Sequence, residues 1–213
     1  MIRSVFSIVL ILASIFLAAV GFSPVVAAEE KAKPPSQWRT LVTAADEKRL
    51  DDWQKALRLG RESAVQRGEA DKISERDPLF QESAALPNSN IPAGLYACSI
   101  SKLAGYAAGG LPYIAYPAFR CRVTVDAGRR HFTKLTGSQR TIGWLYEAGT
   151  HHSIYLGSLI YGYEDKLIAY GNSAERDQAA VVQRIGPERW RMVFPYPYYE
   201  STVDVMELTP ITE

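Results

Sequence analysis

The sequence has few of the residues that mark familiar enzyme sites. Its 213 residues include only two cysteines, three histidines and three methionines. No Gly-x-Ser-x-Gly, Walker loop, Gly-x-Gly-x-x-Gly or His-Glu-x-x-His occurs, so the commonest hydrolase, phosphate-binding, dinucleotide-binding and zinc-protease sites have no motif here. Nor is one sign of charge in excess: 24 basic side chains face 23 acidic ones. A near-neutral chain has no general electrostatic reason to bind nucleic acid or an anionic membrane, and neither is expected as a partner. No repeat of fixed period and no low-complexity tract appears, and no cofactor is implied.

Charge is also missing from the N-terminus. Arg3 is the only charged residue before Glu29, and an apolar run from Val5 to Val20 lies between them. Gly21 and Pro24 break the run, and Val26-Ala27-Ala28 offers the small residues that signal peptidase needs. Residues 1–28 are therefore expected to be a cleavable secretory signal, and 29–37 a flexible leader. An uncleaved anchor helix is the rival, since the run approaches the roughly 20 apolar residues that span a bilayer. The expected location is periplasmic or secreted, with no membrane attachment once the signal is cut. Residues 38–213 are long enough for one domain. In an oxidising compartment the two cysteines favour a disulfide, Cys98 to Cys121, over a metal site or a nucleophile. Two buried free thiols are the alternative. Closing that loop is worth ~3.4 kcal/mol in a chain-entropy model.

From Thr43, which can cap a helix with Asp46 three residues on, the spacing of Leu50, Trp53, Leu57 and Ala64 predicts one amphipathic helix from Ala44 to Gln66. Gly60 weakens its middle. Beyond Gly94 the period falls to two. Strands are expected near Leu95–Ser101, Ala118–Asp126, Arg130–Leu135, Thr141–Glu147, His152–Tyr161, Leu167–Tyr170, Ala179–Ile185, Arg189–Phe194 and Thr202–Leu208, joined by short turns carrying Gly or Asp. Short connections join antiparallel neighbours, and 47% apolar composition can fill an interior. The expected fold is mainly β: an antiparallel up-and-down barrel, lipocalin-like in architecture, with the N-terminal helix packed outside. The helix stripe is expected on the strand His152–Tyr161, both faces of which are apolar. A two-sheet sandwich is the alternative.

Candidate site residues come from two aromatic segments and a few charges. Residues 101–117 carry Tyr106, Tyr113 and Tyr116 with Gly109-Gly110, and read as a plug in the barrel end or a lid over a cavity. Pro195-Tyr196-Pro197-Tyr198-Tyr199 can stack on a ring, and Arg140 can hold a carboxylate. With Trp144 these give a ligand-binding set of Tyr106, Tyr113, Tyr116, Arg140, Trp144, Tyr196 and Tyr198. His131, His151 and His152 are not spaced to chelate a metal easily, because adjacent strand residues face opposite ways. Leu135 to Arg140 reads as a hairpin turn. No catalytic residue is assigned; Glu200 or Asp204, with a histidine, is the alternative for a hydrolase.

Three stretches carry a family likeness: Pro112 to Cys121, His131 to Arg140, and Arg176-Asp177-Gln178 on to Arg184–Arg191. They resemble an uncharacterised family of secreted alphaproteobacterial proteins, a domain of unknown function catalogued under number 4893. The resemblance implies export, both cysteines and a common fold, and no activity. The function expected from residues and resemblance together is non-enzymatic binding of a small apolar or aromatic ligand, or of an envelope protein. A structural or inhibitor-like protein with a filled barrel is the third class.

Overall fold

In the computed structural model, which describes residues 36–106 and 110–212, the alternating segments close into a barrel. The predicted signal and nearly all of the leader lie outside the described residues. Nine strands form: β1 (Gly94–Gly105), β2 (Tyr113–Ala115), β3 (Phe119–Asp126), β4 (Arg129–Lys134), β5 (Gln139–Glu147), β6 (Ser153–Tyr161), β7 (Asp177–Gly186), β8 (Arg189–Pro195) and β9 (Ser201–Ile211). Each of β3 to β8 pairs antiparallel with the next, β1 pairs with β3, and β9 returns to β1. Eight strands thus make a closed up-and-down barrel, and β2 is an extra strand beside the second half of β1. The β9–β1 seam runs from Leu95↔Ile211 to Gly105↔Ser201, which rules out the two-sheet sandwich.

Alternation sorts the side chains. Tyr96, Cys98, Cys121, Val123, Phe132, Tyr155, Val182, Trp190, Met192, Phe194, Met206 and Leu208 share one buried cluster inside the barrel. Cys98 and Cys121 point into it and form a disulfide, with Cα atoms 6.0 Å apart. They are diagonal neighbours, since Cys98 is opposite Phe119 and Cys121 opposite Tyr96. Ile91 and the Tyr96–Trp190 edge-to-face pair belong to this packing, and the Tyr96 hydroxyl donates to the Pro92 carbonyl at 2.7 Å.

The outward residues of β1 and β6–β9 meet the helices. The expected single helix is broken: α1 (Ala44–Asp51) ends at Asp52, α2 (Trp53–Ala64) follows, and a wide turn at Val65–Glu69 with Gly68 at φ 93° leads to α3 (Ala70–Ser74). Thr43 caps α1, its hydroxyl accepting from the Asp46 amide at 3.2 Å. The break divides the apolar stripe. Leu50 joins Trp38, Ile154, Leu156 and Val181 over β6 and β7, while Leu57 joins Leu103, Val193, Val203 and Val205 over β1, β8 and β9. Trp53 touches both groups. Gly60 serves contact here: a Cβ on it would come within 2.5 Å of Val203 Cγ1 and 3.1 Å of Leu103 Cβ.

Two further expectations need correction. Leu167–Tyr170 is not a strand; Leu167 and Ile168 are exposed, and the Tyr170 hydroxyl donates to Asp46 at 2.7 Å and accepts from the Thr43 amide. The segment is a long crossing between β6 and β7 that ties itself to the start of α1. Residues 101–117 are not a free-standing loop either. Ser101, Lys102 and Leu103 pair with Ala115, Ile114 and Tyr113, so the described part extends the wall, and its tip at 107–109 lies outside the described residues.

Candidate functional site

At the end of the barrel where β1, β4, β6 and β8 finish, the inward side chains turn polar. A cavity of about 60 Å³ opens there, lined by Lys102, Lys134, Gln139, Thr141, Gln178 and Asp204, with Ile100, Leu159, Phe194 and Met206 supplying its apolar side. Below it the Tyr155 hydroxyl is 2.6 Å from Thr141 Oγ1, fully buried, and burial pushes that phenol's pKa up. Gly143 and Gly157 face each other across β5 and β6 beside that ring, where a Cβ on Gly157 would overlap the Tyr155 hydroxyl.

Two lysines differ in their partners. Lys102 and Asp204 are opposite each other on β1 and β9; Lys102 Nζ lies 3.3 Å from Asp204 Oδ2 and 2.7 Å from Glu200 Oε2, and Ser201 Oγ donates to Asp204 Oδ1. Burial would lower the Lys102 ammonium, but Asp204 and Glu200 outweigh it and leave its pKa above the ordinary value. Burial raises the Asp204 carboxyl, against the pull of Lys102 and Ser201.

Among the described residues, Lys134 has no such counter-ion. It is 3% exposed, donates to the carbonyls of Gln139 at 2.6 Å and Thr136 at 3.0 Å, and its Nζ lies 3.7 Å from the Phe119 ring centroid. Burial, with the nearby charge of Arg140, lowers it to about 8. The β4–β5 turn is shaped around it: Gly137 has φ 91°, and a Cβ there would press on Nζ and on Phe119.

The backbone around the mouth is strained. Ala104 (φ 55°), Tyr196 (φ 45°) and Glu200 (φ 78°) all take the left-handed conformation that non-glycine residues avoid, at a cost of order 1 kcal/mol each. All three lie at the end of β1 or in the β8–β9 loop.

The sequence-derived candidates divide between this end and the outer wall. Tyr106 comes to the mouth, its amide donating to the Glu200 carbonyl at 3.1 Å. Burial, then Tyr196 and Asp204, raise its hydroxyl. The Tyr196 carbonyl accepts from Arg49 at 3.1 Å, and Tyr198 packs edge-to-face on Tyr199 in the same loop. Tyr113 is on the outside of the wall, 6.1 Å from Phe80 in an edge-to-face pair, and Tyr116 is exposed. Arg140 and Trp144 are at outward positions of β5, where Trp144 meets His131 at 4.7 Å and Arg129 at 4.0 Å. Lys102, Lys134, Gln139, Thr141 and Gln178 were missed. The available signal was parity: Lys134 alternates with Phe132, a core-facing position.

Glu200 and Asp204 come together on Lys102, but His131 lies outside the barrel and His151-His152 at the opposite end of β6, so no histidine joins them. Among the described residues, no three His, Cys, Asp or Glu side chains gather as metal ligands.

The fold and site together define a closed eight-stranded barrel with a packed interior and a polar, lysine-bearing mouth. The chain belongs to the family described as Domain of unknown function (DUF4893), whose family model matches residues 38–208. Comparison with the curated proteins and with the solved structures gives no significant match.

Proposed function

We propose that this chain is an exported, non-catalytic binding protein that holds a small polar ligand in the mouth of its barrel. The observation that carries this reading is the convergence of six polar side chains on a cavity in an otherwise packed interior. A lipocalin-like architecture is part of this reading, and the polar lining of the cavity suits a polar ligand better than an apolar or aromatic one. Larger hollows, beside Trp38 and His152 and beside Gly94 and Arg122, are open and on the outer surface. A disulfide, and the lack among the described residues of any helix long and apolar enough to cross a membrane, are compatible with a periplasmic or secreted protein.

Native mass spectrometry of the protein purified from its own host tests the reading. A reproducible adduct lost on denaturation is expected. A clean apo mass, with no small polar molecule raising the melting temperature, would move the function to a protein partner. One observation favours that second reading: Arg120, Arg122, Arg129, Arg130 and Arg140 lie together on the adjacent strands β3, β4 and β5 and make no ion pair among the described residues, and Arg120, Arg122 and Arg129 are exposed. An acidic envelope protein would complement them.

A further inference from the structure

The two lysines at the mouth are unequally partnered. Lys102 has Asp204 and Glu200 within 3.3 Å, and is neutralised where it stands. Lys134, more deeply buried, is met by two carbonyl oxygens and an aromatic ring, and no ion pair reaches it among the described residues. Of the three N–H groups of the ammonium, two donate to these carbonyls and the charge faces the ring, all of them neutral partners. A buried cation with no anion beside it, on the wall of a cavity, is a costly arrangement unless something anionic completes it. Arg140 adds positive potential and no hydrogen-bond acceptor.

The rest of the lining restricts what that anion can be. Among the side chains that line the cavity, Lys102 and Lys134 are positive and Asp204 negative, which leaves one positive charge to match a single negative one; a dianion would exceed it. Gln139 and Gln178 offer neutral amide groups, while Ile100, Leu159, Phe194 and Met206 offer an apolar flank. Size sets a second limit. A water-sized probe occupies roughly 10–15 Å³, so about 60 Å³ accommodates about four to six non-hydrogen atoms. Taking the mouth as the ligand site, we propose that it binds a short-chain monocarboxylate, with the carboxylate on Lys134 Nζ and the tail against Leu159 and Met206. A purely apolar guest would bury the same ammonium further and give it nothing.

Binding is then coupled to the proton on Lys134. With the free amine titrating at about 8, carboxylate affinity is full at pH 7 and falls about tenfold by pH 9, because only the ammonium is a partner. At a ceiling of about 1.5 kcal/mol per non-hydrogen atom, acetate binds no tighter than about tens of micromolar and propionate no tighter than about a few micromolar, so titrations up to millimolar cover the range.

The test is an NMR titration of the folded chain with ¹⁵N-lysine and methyl-labelled Ile and Met, adding sodium acetate or propionate. Acetamide and propionamide are the neutral controls and sodium chloride the ionic control. The expected result is saturable movement of the Lys134 amine and the Ile100 and Met206 methyls with the carboxylates only, weakening about tenfold from pH 7 to pH 9. Lys134→Gln should abolish it; if that variant does not fold, the wild-type pH profile carries the test. If the amides move the same methyls as well as the carboxylates do, the mouth remains a ligand site and the anion assignment falls. If neither series moves them beyond chloride, both the assignment and the mouth as a small-ligand site are overturned.

Discussion

The hydroxyl of Tyr155 reaches Thr141 Oγ1 at 2.6 Å in the space left by two facing glycines, Gly143 and Gly157, and this bond is the floor on which the mouth cavity rests. The packed part of the barrel and its polar end meet at that pair. Substitutions there act on both.

Gly157→Ala places a methyl group into the Tyr155 ring and against the Ile142 carbonyl. Overpacking of this kind costs about 1–3 kcal/mol, and displacing the ring also breaks the bond to Thr141. Urea unfolding should show a lower midpoint; an unchanged midpoint would mean that the two strands are not in this register. Tyr155→Phe, which keeps the ring and leaves Thr141 without its partner, should cost about 1–2 kcal/mol.

Gly60→Ala separates two effects of opposite sign. Helix propensity alone favours Ala by about 1 kcal/mol, whereas contact with Val203 and Leu103 opposes it. A net loss of about 1–2 kcal/mol is expected by thermal or urea unfolding. A stabilised variant would show that α2 does not lie this close to β9.

Lys134 gives the stability a signature at alkaline pH. Its pKa in the folded chain, about 8, is below the ordinary 10.5, so the unfolded chain holds more protons between those values. Stability therefore rises with pH across that window, and the cost of burying the ammonium is fully present below it. Relative to Lys134→Met, the wild type should gain about 1–3 kcal/mol between pH 7.5 and 10 in the absence of ligand. A stability difference that is flat with pH would mean that Lys134 titrates normally.

The disulfide is expected to be quantitative. Intact mass under non-reducing conditions should be two hydrogens below the dithiol form, and alkylation should require reduction. Replacing both Cys98 and Cys121 by Ser should cost about 3 kcal/mol. Equal stability of that variant would show that the cross-link does not restrict the unfolded chain as supposed.

The barrel was legible in the sequence because its walls obey a simple alternation. Cys121 and Val123 against Arg120 and Arg122 separate inside from outside on β3, and Val125, of the same parity as Val123, is half exposed past the packed part of the strand. What was not legible depended on neighbours distant in the chain. Ser101 to Gly105 reads as a loop until Val203 and Val205 are placed beside it, and β2 is too short for any period to show. Leu167 and Ile168 have strand composition but no partner strand. The mouth was hidden for the same reason: Lys102, Lys134, Gln139 and Gln178 belong to four separate strands, and only the stagger of the barrel brings them to one level. The tyrosines that stood out by composition are partly structural, as Tyr113 is against Phe80.

The seam between β1 and β9 also imposes an order of events on biosynthesis. The first strand of the barrel finds its closing partner only in the last eleven-residue strand of the chain, Ser201–Ile211. Until that strand emerges, one edge of β1 from Leu95 to Gly105 offers unsatisfied amides and carbonyls to any other extended chain. A polypeptide stalled or truncated before position 201 would thus be an open, sticky sheet instead of a shortened barrel, and it would fall to holding factors or proteases to keep it from its neighbours.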